Sequence, residues 1–361
     1  MTATAPLSTY ISSVVPLRRK LPVWLLLACT SVWFAEVGAT SSRFPFVTPE
    51  GWFLLIPWYG LHLLLGGWLI MRANRLTWAV VYLPGLVFGL YEAYFTKVLW
   101  DTTWAPEWSL RFGGMYVLHT LILVWFWHPL FAYIVPLALV ERAVTGTSEV
   151  MAVLPRPLRW LLSTRKGLVI TGGVTGFNSA LNAGPLVAVG SAATTVLLVV
   201  VLRELVVRSG PLPSLRAVLP SNRQAGVLGV LLLGGYVAGT ILVRPASLPP
   251  VWPGQVTVWV MYAVAAGLIW LAFRRARDLP FTLAAPYEAP VRRPLLTLAI
   301  MFTAFALVGA LVRGLGGWFG LALLALGTVT FLVWFVRIVV GLLSGRGAPA
   351  PARQGAASPP R

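Results

Sequence analysis

Four ionisable side chains, Glu36, His62, Glu92 and His119, stand inside long apolar runs of this 361-residue chain. A charge at the centre of a bilayer costs about 2.5–3.5 kcal/mol on insertion scales, so each asks for a partner or a task. A carboxylate beside an imidazole in low dielectric can serve as a general base or as a proton- or cation-binding group. Glu36, Glu92 and His119 fall near the outer ends of their runs, at similar depth, whereas His62 and His128 fall deeper. The expected reactive pair is therefore Glu92 and His119, within direct or one-water reach. Glu36, His62 and Met115, one helical turn from His119, would line the same wall. The bland alternative is a structural pair, or side chains that snorkel to the interface.

Spacing narrows the chemistry. His119 and His128 are nine residues apart, about 180° around an ideal α-helix, so one metal cannot take both unless the helix breaks, an opening that Pro129 leaves. No metal and no cofactor is expected. Glu92 and Lys97 are five apart and do not form a helical ion pair, so Lys97 is expected to snorkel outward. Asn178 and Asn182 are further polar candidates for binding. Trp100, Trp104 and Trp108 recur every four residues, as an interfacial aromatic belt or a lid over a lipid-accessible cavity. There is no phosphate-binding glycine loop, no paired-aspartate motif and no defensible Ser-His-Asp order.

The elements that would carry these residues are membrane helices. The chain is 58% hydrophobic and 11% charged, with mean hydropathy +0.81, too apolar for a soluble surface of this size. The fold class is all-α, a polytopic bundle of about ten spans: 21–38, 52–71, 78–97, 115–140, 167–182, 185–202, 225–243, 256–273, 294–312 and 317–342. The fifth is the weakest and reads equally as a re-entrant or broken helix. The net charge of +18 does not point to nucleic acid, because roughly 23 of the 28 basic residues fall in alternate short loops. Those loops orient both termini to the cytoplasm, with Arg275 inside and Arg244 and Arg313 outside, and they meet anionic lipid headgroups. The basic cluster Arg18-Arg19-Lys20 ahead of the first run reads as an uncleaved signal-anchor. The localisation expected is the plasma (inner) membrane. Cys29, the single cysteine, excludes an intrachain disulfide.

Organisation follows the polar residues. Residues 1–143 hold all three histidines and form a site-bearing sub-bundle; residues 144–344 form a Gly/Ala/Leu-rich sub-bundle; residues 345–361 are a Pro/Ala-rich cytoplasmic tail. Gly172-x-x-x-Gly176, Gly235-x-x-x-Gly239 and Gly316-x-x-x-Gly320 are close-packing signals. No internal repeat of the kind seen in inverted-repeat transporters is evident.

The stretches GLHLLLGGWLIMR, GLYEAYFTKVLW and LHTLILVWFWHPLFAYIVPLALVE resemble a family of uncharacterised polytopic prokaryotic membrane proteins. More remotely, the pattern is similar to the CAAX-processing and bacteriocin-processing membrane proteases, whose helices carry Glu-Glu-x-x-x-Arg, Phe-x-x-x-His and His-x-x-x-Asn. Here Glu92 keeps the first glutamate, Ala93 replaces the second and Lys97 the arginine. Met115 to His119 keeps the histidine, and Asn178 to Asn182 has asparagine for the third motif's histidine. The resemblance implies water activation by Glu92 and His119 on a degenerate hydrolase-like scaffold, acting on or binding a lipid or peptide. The alternatives are a proton- or cation-coupled transporter and a structural or assembly protein.

Overall fold

The computed structural model describes residues 15–94, 96–105, 109–181, 183–210, 212–239, 241, 248–279 and 292–345. Seven helices of these residues are long and apolar enough to cross a membrane. They are α1 (Leu17–Val37), α2 (Gly51–Ile70), α4 (Val117–Val144), α8 (Pro185–Arg208), α11 (Trp252–Arg277), α12 (Arg292–Leu311, apolar from Pro294) and α13 (Arg313–Ser344, apolar from Trp318). The remaining helices are α3 (Trp78–Gly89), α5 (Glu149–Val153), α6 (Arg156–Ser163), α7 (Arg165–Ser179), α9 (Leu215–Val218) and α10 (Asn222–Ala238).

Three of the ten expected spans are thus shorter than expected. Helix α3 has 12 residues, α7 has 15 and α10 has 17. At 1.5 Å per residue these reach about 18 to 26 Å, against a hydrocarbon core of about 30 Å. Helix α3 stops because the chain turns at Leu90, adds one turn over Tyr91–Tyr94, and then enters a left-handed conformation at Lys97 (φ 64°). A small β-hairpin also interrupts the all-helical plan. Strand β1 (Arg111–Phe112) pairs antiparallel with β2 (Met115–Tyr116) across Gly113-Gly114, both at positive φ, where a side chain would be strained. Met115 therefore lies in a strand before α4, not one turn from His119 on a helix.

Helices α1 and α4 form the centre: 78% of the most apolar window of each is buried, against 17% for α11 and for α13. The outer helices turn Val230, Leu233, Trp259, Val260, Leu326 and Val329 to the surface. An apolar surface of that kind belongs in lipid rather than water. Close approach depends on small residues. A Cβ on Gly85 or Gly89 of α3 would stand 2.8 Å from the backbone of Pro129 or Val124 of α4. Gly172 and Gly176 of α7 meet the backbone of α12 at Leu298 and Phe302 in the same way, as the glycine spacing predicts.

Helix α4 is α-helical at its ends, but Leu121–Ile134 winds as a π-helix. Pro129 has no N–H to give the preceding turn, and the Tyr82 hydroxyl of α3 donates to the neighbouring Trp125 O (2.6 Å).

The basic segments gather on one face. Arg19 donates to Gly210 O (2.8 Å), Lys20 to Leu219 O (3.0 Å) and Arg142 to Ser163 O (2.9 Å). Asn74 donates to Arg277 O (3.1 Å), and Arg216 bridges Met71 O and Glu149. Cations on the last carbonyls of helices answer both their unpaired acceptors and their partial negative charge. Fully buried Glu141 orders this face from within: its carboxylate accepts from Glu149 N (2.6 Å), Val150 N (2.9 Å) and the Thr147 hydroxyl (3.0 Å). On the opposite face Phe44 N meets Ser191 Oγ (3.1 Å), and the β-hairpin glycines sit against Gly254 and Thr257.

Candidate functional site

The polar centre is a hydrogen-bonded chain across α1, α2, the Tyr91–Tyr94 turn and α4. The Tyr59 hydroxyl of α2 donates to Glu36 Oε1 of α1. It lies 2.9 Å from the Tyr91 hydroxyl, which lies 3.3 Å from His128 Nε2 of α4. That nitrogen is 3.2 Å from Glu92 Oε1. The Thr96 hydroxyl donates to the other oxygen of Glu92. Glu92 and His128 are only 6% and 2% exposed, whereas Glu36 is a partly exposed residue, so the chain runs from the less buried end of α1 to a buried carboxylate–imidazole pair.

Local structure explains the assembly. Glu36 lies on the π-helical end of α1, Trp33–Val37, a widened turn of the kind found at functional positions. The break at Leu90 starts the short turn that carries both Tyr91 and Glu92. In the π-helical stretch of α4 hydrogen bonds run five residues apart, and His128 Nδ1 faces Leu123 O five residues back (3.1 Å).

Counting donors limits the proton arrangements. Leu123 O can only accept, so Nδ1 of His128 carries a proton. Tyr59 has one hydrogen and gives it to Glu36, so Tyr91 must donate to Tyr59. Then Tyr91 has none left for His128, and Nε2 must donate towards Tyr91 and Glu92. In this state His128 is an imidazolium beside a Glu92 carboxylate, and Glu36 accepts. A second arrangement reverses the chain between Glu36 and His128: Glu36 donates to Tyr59, Tyr59 to Tyr91, and Tyr91 to a neutral Nε2, which then no longer donates to Glu92. The two differ by one proton moved from His128 to Glu36, each hydroxyl losing one hydrogen and gaining another.

The expected residues are distributed as follows. Glu92 meets an imidazole, but it is that of His128; no hydrogen bond joins Glu92 to His119 among the described residues. His119 is partly exposed, lies edge-on to Tyr116 (ring centres 5.5 Å apart), and its buried Nδ1 has no hydrogen-bond partner among the described residues. The opposition of His119 and His128 was derived for an ideal α-helix, and the π-helical turns between them remove that basis. Glu36 joins the site through Tyr59. His62 lies beside it but outside the chain: Nδ1 faces Trp58 O (2.8 Å), Nε2 faces the Tyr236 hydroxyl (2.9 Å), and the ring stacks on Phe88 (4.9 Å). The Trp58 carbonyl can only accept, so Nδ1 of His62 carries a proton. Met115 is buried near Gly254. Asn178 donates to Gly38 O (2.6 Å), tying α7 to the end of α1 instead of to Glu92. Asn182 lies outside the described residues, as do Glu107, Trp108, Arg244 and the tail beyond residue 345.

Lys97 does not snorkel. It is 7% exposed, with its ammonium 5.8 Å from the centre of the Trp100 ring. Trp100 donates to Ala93 O (2.6 Å), which holds the segment after Glu92 in place, while Trp104 is 50% exposed. Sequence reasoning passed over Tyr59, Tyr91 and His128. The available signals were Tyr59 one turn before His62, Tyr91 beside Glu92, and Pro129 next to His128. Among the described residues no three His, Cys, Asp or Glu side chains converge as a metal site.

These features define a multi-pass helical membrane protein with a buried carboxylate–tyrosine–imidazole centre. Residues 25–354 match the model of a family described as an uncharacterized membrane protein family, and the chain belongs to it. It is 31% identical over 250 residues to an uncharacterized protein of Archaeoglobus fulgidus, a match covering 68% of this chain and 76% of that one. No solved structure matches the chain.

Proposed function

We propose that this is a proton-coupled membrane protein, a carrier in which Glu92 and His128 form the proton-binding element and Tyr91, Tyr59 and Glu36 form its relay. The observation that carries the reading is the unbroken hydrogen-bond chain from partly exposed Glu36 to buried Glu92. Intramembrane chains of carboxylates and histidines are the usual material of proton paths, and this one can be polarised in either direction between Glu36 and His128. Sodium or another cation would need several oxygen ligands, whereas the carboxylate here already holds an imidazole and a hydroxyl.

A hydrolase-like scaffold acting on a lipid or peptide is the second reading. It is favoured by the imidazole beside Glu92, with His128 in the role that the sequence suggested for His119.

The proposed topology has ten crossings, both termini in the cytoplasm of a cell with this protein in its inner membrane, and the site in the outer half. In support, the segments at 19–24, 71–74, 141–163, 203–219, 275–277 and 345 contact one another, whereas 38–46, 113–115, 178–191 and 254–257 meet on the other face. Helices α3, α7 and α10 each run between those faces despite their length. The proton-handling groups all belong to residues 1–143, while Tyr236 of the second sub-bundle supports them through His62.

The test needs no substrate. A pH step over proteoliposomes on a solid-supported electrode should give a transient charge displacement as the buried pair takes up protons. Glu92→Gln and Glu36→Gln should each abolish most of it. An undiminished transient in both variants would overturn the reading; its loss together with lipid or peptide turnover abolished by Glu92→Gln would favour the hydrolase.

A further inference from the structure

On the basic face, a cavity of about 400 Å³ opens between the end of α2 and the end of α11. Arg72, Asn74, Trp270, Phe273, Arg274 and Arg277 line it. It has three guanidinium groups and no carboxylate in its wall. Two of the arginines are held over tryptophan faces, Arg72 over Trp68 at 5.2 Å and Arg274 over Trp270 at 5.4 Å. Asn74 donates to Arg277 O, fixing the two helix ends together. Among the described residues none of the three arginines is paired with a carboxylate, including neighbouring Asp278. The helix dipole of α11 does not explain the cluster. A helix C-terminus carries roughly half an elementary negative charge, and the last turn alone holds Arg274, Arg275 and Arg277.

We infer that this cavity is a binding site for the phosphate of an anionic phospholipid. Guanidinium forks match phosphate oxygens, and three arginines, one just past the end of α2 and two from the last turn of α11, line this cavity. The walls identify a lipid over a free phosphate. Trp270 is 61% exposed at the rim, and the same side of α11 continues as an exposed apolar strip through Ala263, Trp259 and Val256. That strip offers acyl chains a path along the helix, and the tryptophan marks headgroup depth. A second basic cavity shares Arg72, but its Lys20 and Arg216 already donate to Leu219 O and Met71 O. The first cavity therefore takes the ligand.

Native mass spectrometry of the full chain, released from nanodiscs of phosphatidylglycerol and phosphatidylcholine, tests this. Wild type should retain phosphatidylglycerol and shed phosphatidylcholine. The triple variant R72Q/R274Q/R277Q should weaken retention on the order of a hundredfold, from about a factor of five per arginine near the surface. A control with the same charge loss, R156Q/R165Q/K166Q, should retain the lipid as wild type does. Equal retention in the triple variant and wild type, or an equal loss in the control, would overturn the site. Displacement of phosphatidylglycerol by millimolar inorganic phosphate would show a free-phosphate site and overturn the lipid assignment.

Discussion

Replacing Gly176 by alanine tests the packing that holds α7 against α12 and, through Asn178, against the end of α1. A Cβ at Gly176 would lie 2.1 Å from Phe302 O, 2.7 Å from its Cα and 2.8 Å from its carbonyl carbon. The shortfall from ordinary contact at 3.4 Å is roughly 1.3 Å, and the obstacle is backbone, which cannot swing aside. Gly173 on the same helix is the internal control, since its Cβ would meet only the Phe305 ring at 3.5 Å. Both changes gain about 1 kcal/mol of helix propensity, which cancels between them. What remains is overpacking, so Gly176→Ala should be less stable than Gly173→Ala by about 1–3 kcal/mol. Thermal unfolding of the two variants in one detergent measures the difference. The displaced helix would also lengthen the Asn178 to Gly38 bond, which is read as faster hydrogen exchange at the end of α1. Equal stability would contradict the close approach of α7 and α12.

Two further outcomes follow from named contacts. Glu141→Ala removes three hydrogen bonds to one buried carboxylate and leaves the amides of Glu149 and Val150 unpaired; it should cost about 1–3 kcal/mol per stranded amide. Glu141→Gln should cost less, because one carbonyl oxygen still accepts, and equal melts for the two variants would contradict the assignment. In intact cells an impermeant thiol reagent should label Ser41→Cys and not Arg156→Cys, both exposed, with buried Cys29 silent; the reverse pattern would invert the proposed topology.

How much was legible in the sequence depends on the level. Hydropathy marked the long helices correctly, because burial in lipid or protein both require apolar composition. It overcounted regular helix at 78–97, where Glu92 sits on a separate turn: a hydropathy average does not register the Leu90 break or the left-handed Lys97. Loop basicity grouped segments that do contact one another, since Arg19, Lys20, Arg142 and Arg216 all seek carbonyls at helix ends. Adjacency of α3 and α4 was also legible, and with it the pairing of Glu92 with some histidine. The choice between His119 and His128 was not. His119 was preferred by depth, counted along one regular helix over 78–97, whereas Glu92 sits on the separate turn after Leu90 and meets His128. The tyrosines gave only weak signals, Tyr59 a turn before His62 and Tyr91 beside Glu92, because a Tyr in an aromatic-rich helix reads as packing until the fold brings the two hydroxyls together.

The central claim is that Glu36, Tyr59, Tyr91, His128 and Glu92 share protons as one unit. Infrared difference spectroscopy of the carboxyl stretch, recorded on a pH step in lipid, reads it directly. Glu92→Gln should remove one carboxyl signal and shift the signal that Glu36→Gln removes. Tyr59→Phe, which cuts the chain between them, should keep both signals and abolish the shift. A Glu36 signal that stays unmoved in Glu92→Gln, with Tyr59 intact, would contradict the relay.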